Sequence, residues 1–236
     1  MRINKYLALC GLASRRKVEE YIKDGRIKVN GRVVTNLATD INLKKDKCQF
    51  DDKDINMPKE YVYYKLHKPK GYICSASDEK GRKTIYEIVK TNERLFSVGR
   101  LDYNSEGLLI LTNDGVFANK ITHPANHIEK EYIVKIEGNI KESELAVLRA
   151  GVVENGKKMP KAKVKLLSYE NNQSRLSVII DEGQNHQIRR MFDCIGKTII
   201  LLKRVSVGGL KLGGLPRGKY KELSQSELDL IFEAQK

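Results

Sequence analysis

The sequence predicts an α+β chain of two domains, and three observations carry that prediction. Residues 1–58 read as two short helices followed by a hairpin. The segment Asn56-Met57-Pro58-Lys59 reads as a linker, because Pro58 breaks regular structure. Residues 59–236 then alternate strand-like apolar runs with helix-like ones, the pattern of a sizeable sheet with helices on it. With 236 residues, 40% hydrophobic and 31% charged, the chain is long enough for one good core and a small second domain.

Each element has a local reason. Leu7, Cys10 and Leu12 mark a first short helix ending at Gly11. Ser14 is placed to cap a second, with Val18, Tyr21 and Ile22 as its apolar stripe and Gly25 as its stop. Ile27-Lys28-Val29, Asn30-Gly31 and Val33-Val34 give the strongest hairpin signal in the chain. Beyond the linker, Tyr61 to Leu66 predicts the first strand of the second domain. Phe96–Val98, Leu108–Leu111, Tyr132–Ile136, Val164–Leu167, Leu176–Ile180 and Ile199–Leu202 predict further strands, and the stretches near Ile85–Val89, Val116–Ile121, Glu142–Leu148 and His186–Ile195 predict helices. Ser224-Gln225-Ser226-Glu227 has the capping-box pattern that opens a last helix.

Charge points to the partner. A formal net charge of +14 with a pI of about 9.5 suits a polyanion, with nucleic acid as the default. Residues 2–36 carry nine Lys and Arg against three acids, so Arg2, Lys5, Arg15, Arg16, Lys17, Arg26 and Lys28 are candidate nucleic-acid contacts. No apolar run approaches the length of a membrane span, and the start lacks the apolar segment of a signal peptide, so a cytoplasmic protein is expected. Cys10, Cys48, Cys74 and Cys194 are scattered without metal-ligand spacing, and His67, His123, His127 and His186 form no ligand cluster; neither disulfide, metal nor organic cofactor is expected.

The most informative stretch is Val98 to Gly115. It sets Arg100 and Asp102 two residues apart in a turn between apolar runs, with Leu108–Leu111 as a buried strand and Asn113-Asp114-Gly115 as the turn after it. Asp102 therefore lies beside core. Taken alone, such an Asp more often pairs with a neighbour such as Arg100 or caps a turn.

Context changes that weighting. Gly99-Arg100-Leu101-Asp102 followed by Gly107-Leu108-Leu109 resembles the signature of the ribosomal RNA pseudouridine synthases of the RsuA, RluB, RluE and RluF group. Lys68-Pro69-Lys70-Gly71 ahead of it, Lys130-Glu131-Tyr132 after it, and Glu182 to Met191 with its His186-Gln187-Ile188-Arg189-Arg190 core are similar to further motifs of that family, in the same order. The stretch from Gly99 to Gly107 together with Phe117 to Pro124 most resembles the RluB branch, whose members modify large-subunit RNA. In the first domain, Asn4 to Leu7, Gly11 to Arg16 and Gly25 to Gly31 resemble the αL RNA-binding module named after ribosomal protein S-four, whose basic second helix and hairpin meet structured RNA.

The resemblance implies a mixed, mostly antiparallel sheet with a catalytic cleft across its face. It also assigns roles. Pseudouridine formation breaks the uracil glycosidic bond, turns the base and rejoins it through carbon 5, so one ionised carboxylate near the sugar is needed; Asp102 is that residue, as nucleophile on the anomeric carbon or as base on the 2′ proton. A dry pocket would raise its pKa unless a cation held it down. Arg189 is implied to pair bidentately with Asp102. Tyr132 is implied to stack on the uracil and to take the carbon-5 proton. Leu101 and Ile188 would line the substrate pocket, Arg100 would fill the space a flipped base leaves, and Arg190 would bind phosphate. Lys68, Lys70 and Gly71 would shape backbone and contact phosphate, while His67 stands where relatives often carry Asn.

The implied protein is a cofactor-free synthase acting as a monomer on ribosomal RNA, 23S RNA by the branch assignment, within an assembling ribosome. Two other classes compete. A non-catalytic RNA-binding or assembly factor needs no ordered Asp-Tyr-Arg set, and a hydrolase needs a second carboxylate, for which Glu106 and Asp114 have no motif support.

Overall fold

Ser14 does what its position demands: its side chain accepts a hydrogen bond from the Lys17 amide, and α2 (Arg15–Lys23) follows α1 (Ile3–Leu9). In this computed structural model, which describes residues 1–76 and 78–233, β1 (Ile27–Val29) and β2 (Arg32–Val33) form the expected hairpin, with Asn30 and Gly31 both at positive φ as a primed turn requires. The sequence did not show that β1 pairs on its other edge with β3 (Cys48–Phe50), which pairs with β4 (Lys53–Ile55) in a sheet of order β2-β1-β3-β4. Ile3, Leu7, Val18, Ile22, Ile27, Ile41 and Cys48 are its buried centre. The unit comprises residues 1–62 with 93–95 and 113–115.

The second unit is built on a nine-stranded sheet. Its strands are β5 (Tyr63–Lys68), β6 (Phe96–Val98), β7 (Glu106–Thr112), β8 (Lys130–Glu137), β11 (Lys163–Glu170), β12 (Gln173–Ile180), β13 (Ile199–Val207), β14 (Leu210–Lys211) and β15 (Tyr220–Glu222), with β9 (Val153–Glu154) and β10 (Lys157–Lys158) as a separate hairpin. Helices α3 (Gly115–Thr122), α4 (Glu142–Ala150), α5 (Gln187–Asp193) and α6 (Gln225–Glu233) complete it. The order is β11-β12-β8-β13-β7-β5-β15, with β14 on β13 and β6 on β7. Among the described residues, every pairing between this sheet's strands is antiparallel except β13 on β7, so the sheet is mixed and mostly antiparallel, as the resemblance implied.

Two element expectations need correction. The first strand starts at Tyr63 rather than Tyr61, because the Val62 amide is taken by the Asn113 side chain at 2.9 Å. The stretch near Ile85–Val89 forms a single 3-10 turn, Ile85–Glu87, too short for an α-helix.

Alternation along β7 divides the two faces. Leu108 and Ile110 join Ile121 of α3 and Leu228 and Ile231 of α6 in one apolar cluster. The opposite face carries polar groups in register: Val178 of β12 faces Tyr132 of β8, Tyr132 faces Arg204 of β13, Arg204 faces Gly107 of β7, and Gly107 faces Lys68 of β5. Neighbours across strands project to the same side, so Tyr132, Arg204 and Lys68 form one row. Among the described residues no helix is long and apolar enough to cross a membrane.

Candidate active site

Asp102 sits in the loop that leads into β7, and that loop is tied down through its carbonyls. The Lys68 ammonium donates to the carbonyls of Asp102 and Ser105, both at 2.9 Å, and to that of Pro69 at 3.1 Å. The Gly71 amide donates to the Tyr103 carbonyl at 2.8 Å, Arg189 Nη2 to the Asn104 carbonyl at 3.2 Å, and the Cys74 thiol to the Leu101 carbonyl at 3.4 Å. Each carbonyl from Leu101 to Ser105 thus has a donor. A loop so fully paired holds its side chains before any ligand arrives.

Lys68 is fully buried, which corrects the expectation that it contacts phosphate. An ammonium has three hydrogens, and here they meet three carbonyls. Burial pushes its pKa down to about 8, leaving it predominantly protonated at neutral pH. Lys68→Met is expected to orphan the Ser105 carbonyl, leave the Asp102 carbonyl with only the Ser105 amide at 3.1 Å, and let the loop drift; a misplacement of about 1 Å can cost on the order of a hundredfold in rate. Single-turnover kinetics beside an RNA titration check this, with affinity expected to stay at the parent value. Weak binding at a normal rate would restore the phosphate role.

The carboxylate faces a cavity of about 260 Å³ whose lining includes Arg100, Leu101, Tyr132, Ile188 and Arg204. A second cavity, of about 540 Å³, shares Arg100, Leu101 and Asp102 with it and adds Cys74 and Tyr103. Leu101, Tyr132 and Ile188 are buried, whereas Arg100 is exposed. Asp102, Tyr132, Leu101 and Ile188, singled out from sequence, therefore come together in one concavity.

Arg189 also reaches Asp102, but not as the bidentate fork implied. Its Nε lies 3.8 Å from Oδ2, and its Nη2 is spent on the Asn104 carbonyl and on Ser105 Oγ, the latter at 3.2 Å. The guanidinium divides between the carboxylate and the loop that carries it. The other oxygen, Oδ1, has a neighbour that the sequence reading passed over: His186 Nε2 at 3.4 Å. Its signal was its place in the same short motif as Arg189; it precedes the helix as an N-cap residue at positive φ. Arg190 is not free for phosphate as expected; it bonds Glu154 at 2.9 Å and Gln184 at 3.3 Å.

Two further cavity residues carried no assigned role. Lys130, the first residue of β8, donates to the carbonyls of Ile128 at 2.6 Å and Asp181 at 2.8 Å, and burial pushes its pKa down to about 8. Arg204 is buried in β13, its Nε donating to the Leu108 carbonyl at 2.7 Å. Glu106, the second acid a hydrolase would need, is buried against Arg217 at 3.2 Å, and it is not among the residues lining either cavity with Asp102.

The first unit's cations divide in two. Arg2 meets Asp40, Lys17 meets Glu20 at 2.6 Å, Arg26 meets Asp51 and Lys28 meets Asp52. Arg26 also stacks over Tyr21 and Phe50, at 4.6 and 4.3 Å from the ring centres. Lys5, Arg15 and Arg16 are exposed, and among the described residues none forms an ion pair.

A carboxylate on a tied-down loop at the parallel β13–β7 junction of a mixed sheet, sharing its cavity with Tyr and Arg and preceded in the chain by a helix-helix-hairpin module, defines a class as well as a geometry. Residues 62–193 match the RNA pseudouridylate synthase family, and residues 1–45 match the S4 domain. The chain is 43% identical over 231 residues to ribosomal large subunit pseudouridine synthase B of Bacillus subtilis, covering 96% of this chain and 93% of the relative. It is 41% identical over 237 residues to an uncharacterized RNA pseudouridine synthase of Aquifex aeolicus, covering 99% and 94%. A crystal structure of a pseudouridylate synthase superimposes with a TM-score of 0.71 at 32% identity, covering 98% of this chain and 99% of that one. The chain belongs to the RNA pseudouridylate synthase family, whose members are isomerases, and carries an S4 domain at its N-terminus.

Proposed function

We propose that this chain converts one specific uridine of 23S ribosomal RNA to pseudouridine, with Asp102 as the catalytic carboxylate. The observation that carries this is Asp102 itself, held through its loop carbonyls at the wall of a cavity of about 260 Å³ that Tyr132 also lines. The ribosomal substrate rests on the Bacillus relative and on the S4 domain. Arg189 Nε and His186 Nε2 flank the two carboxylate oxygens, at 3.8 and 3.4 Å. In this reading Tyr132 stacks on uracil and accepts the carbon-5 proton, Leu101 and Ile188 wall the base, and the exposed Arg100 occupies the vacated stack; all four line the cavity. The protein acts in the cytoplasm as a monomer on an assembling ribosome. Pseudouridine mapping across ribosomal RNA from cells with and without the gene tests the assignment: one site in 23S RNA should disappear. Loss of none, with RNA binding intact, would favour a binding factor instead.

The first unit serves as the RNA anchor, through its unpaired cations before its paired ones. Replacing Arg15 and Arg16 with Ala is expected to lower the slope of log affinity against log salt by roughly 0.9 per lost phosphate contact on duplex. Arg26→Ala, which also strips Asp51 of its partner, should move the slope less. A larger change for Arg26 than for the Arg15 and Arg16 pair would reverse the order of the two groups.

A further inference from the structure

We propose that Arg204 is a further catalytic residue of this site, the cation that takes up the negative charge of uracil once its bond to the sugar has broken. The inference rests on the synthase reading above.

Arg204 is 3% exposed and lies in the polar row between Tyr132 and Gly107. A guanidinium has five N–H donors. One of them is spent on Leu108, Nη2 is buried without any partner, and among the described residues no ion pair involves Arg204. Burying a cation without an anion is costly, and such an imbalance persists where function requires it. Among the described residues the neighbouring cations also lack an anion, but their hydrogens are mostly spent: Lys68 has given all three to carbonyls and Lys130 two of its three. The cavity lining therefore includes both Asp102 and Arg204, whose buried Nη2 has no partner.

The reaction supplies the missing anion. When the C1′–N1 bond breaks, its electron pair leaves with the base and spreads over N1, O2 and O4. Asp102 meanwhile bonds to C1′, or takes the 2′ proton and leaves a C1′–C2′ double bond. After the base turns, an electron pair from C5 forms the C1′–C5 bond; the bond to Asp102 breaks, or C2′ regains its proton. The C5 proton then departs to a base and N1 gains one. By either route a free uracil anion exists between the two bonds, so the need for a fixed cation does not depend on the role of Asp102. A preoriented guanidinium in a water-poor site suits that charge better than water does.

The test compares target uridine with 5-fluorouridine at the same position of a ribosomal RNA transcript that the parent converts. Fluorine withdraws electron density, so the departing base needs less help. Arg204→Met should slow single-turnover conversion of uridine by a hundredfold or more, roughly the loss expected for one oxyanion donor, with RNA affinity unchanged. Loss of 5-fluorouridine, read from nuclease digests, should be slowed by about tenfold or less. Equal rates for Arg204→Met and the parent overturn the proposal. So does a deficit of one size on both bases, which marks a structural role. If Arg204→Met fails to fold, Arg204→Lys carries the same comparison: a charge kept but misplaced should show the same narrowing with fluorine, and an unnarrowed deficit overturns the idea. A parent that makes no pseudouridine instead overturns the synthase reading beneath it.

Discussion

Asp102→Asn is expected to abolish pseudouridine formation while leaving RNA affinity within about twofold of the parent. The substitution keeps shape and nearly all volume but removes the charge, so neither attack on C1′ nor abstraction of the 2′ proton remains. The loop should not move, because Lys68, Gly71 and Arg189 hold it through backbone carbonyls that an amide side chain leaves untouched. Affinity should persist because phosphate contacts on other surfaces supply most of it. Each tenfold loss in rate corresponds to about 1.4 kcal/mol of transition-state stabilisation, and the group that breaks the bond must account for many such factors. The assay is tritium release from carbon-5-labelled uridine in ribosomal RNA transcripts, beside a binding titration and a melting curve of the same variant. Tritium release at near the parent rate would remove Asp102 from the chemistry and strengthen the case for a binding factor.

What was legible in the sequence follows from where the physics is local. The Ser14 cap and the Asn30-Gly31 turn need only their own neighbours, and both stand where the residues placed them. Leu108 to Leu111 is apolar enough to declare a buried strand by itself. The strands β3 and β4 were missed because Cys48 to Ile55 is mostly polar and half-exposed, its two central Asp residues taking positive φ in a turn that more often uses Asn or Gly. That omission hid the acids, Asp51 and Asp52, that fold back onto Arg26 and Lys28. At the site, the resemblance supplied Asp102, Tyr132 and Arg189, but it gave no way to see that Lys68 would be sealed under the Asp102 loop or that Arg204 would sit beside Tyr132. Both facts arise from strand register across β5, β7, β13 and β8, which depends on residues far apart in the chain.

Gly107→Ala tests that register directly, and it is expected to be among the most destabilising single methyl additions in the chain. Gly107 has φ +115, and a Cβ there would lie 2.2 Å from the Arg204 carbonyl oxygen and 2.6 Å from the Arg204 nitrogen. Backbone cannot rotate aside as a side chain can, so β13 must pull away from β7 at Lys203 and Arg204, the residues that make their parallel pairing. The Arg204 bond to the Leu108 carbonyl would go with it. Strain at such a dihedral costs about 1–3 kcal/mol, and a forced separation of central strands brings the total to roughly 4 kcal/mol or more. For a domain of this size each kcal/mol lowers the melting temperature by about 2–4 °C, so a fall of roughly ten degrees is expected. Gly138→Ala is the control: its φ is +72, also unfavourable for Ala, yet nothing lies within 4 Å of the added Cβ. It should cost only about 1 kcal/mol. Below its melting point Gly107→Ala should bind RNA yet turn over slowly, since moving Arg204 disturbs the row that includes Tyr132 and Lys68. If the two variants melt within a degree or two of each other, β13 can shift freely at Arg204, and the close approach is not what aligns the row beneath Asp102.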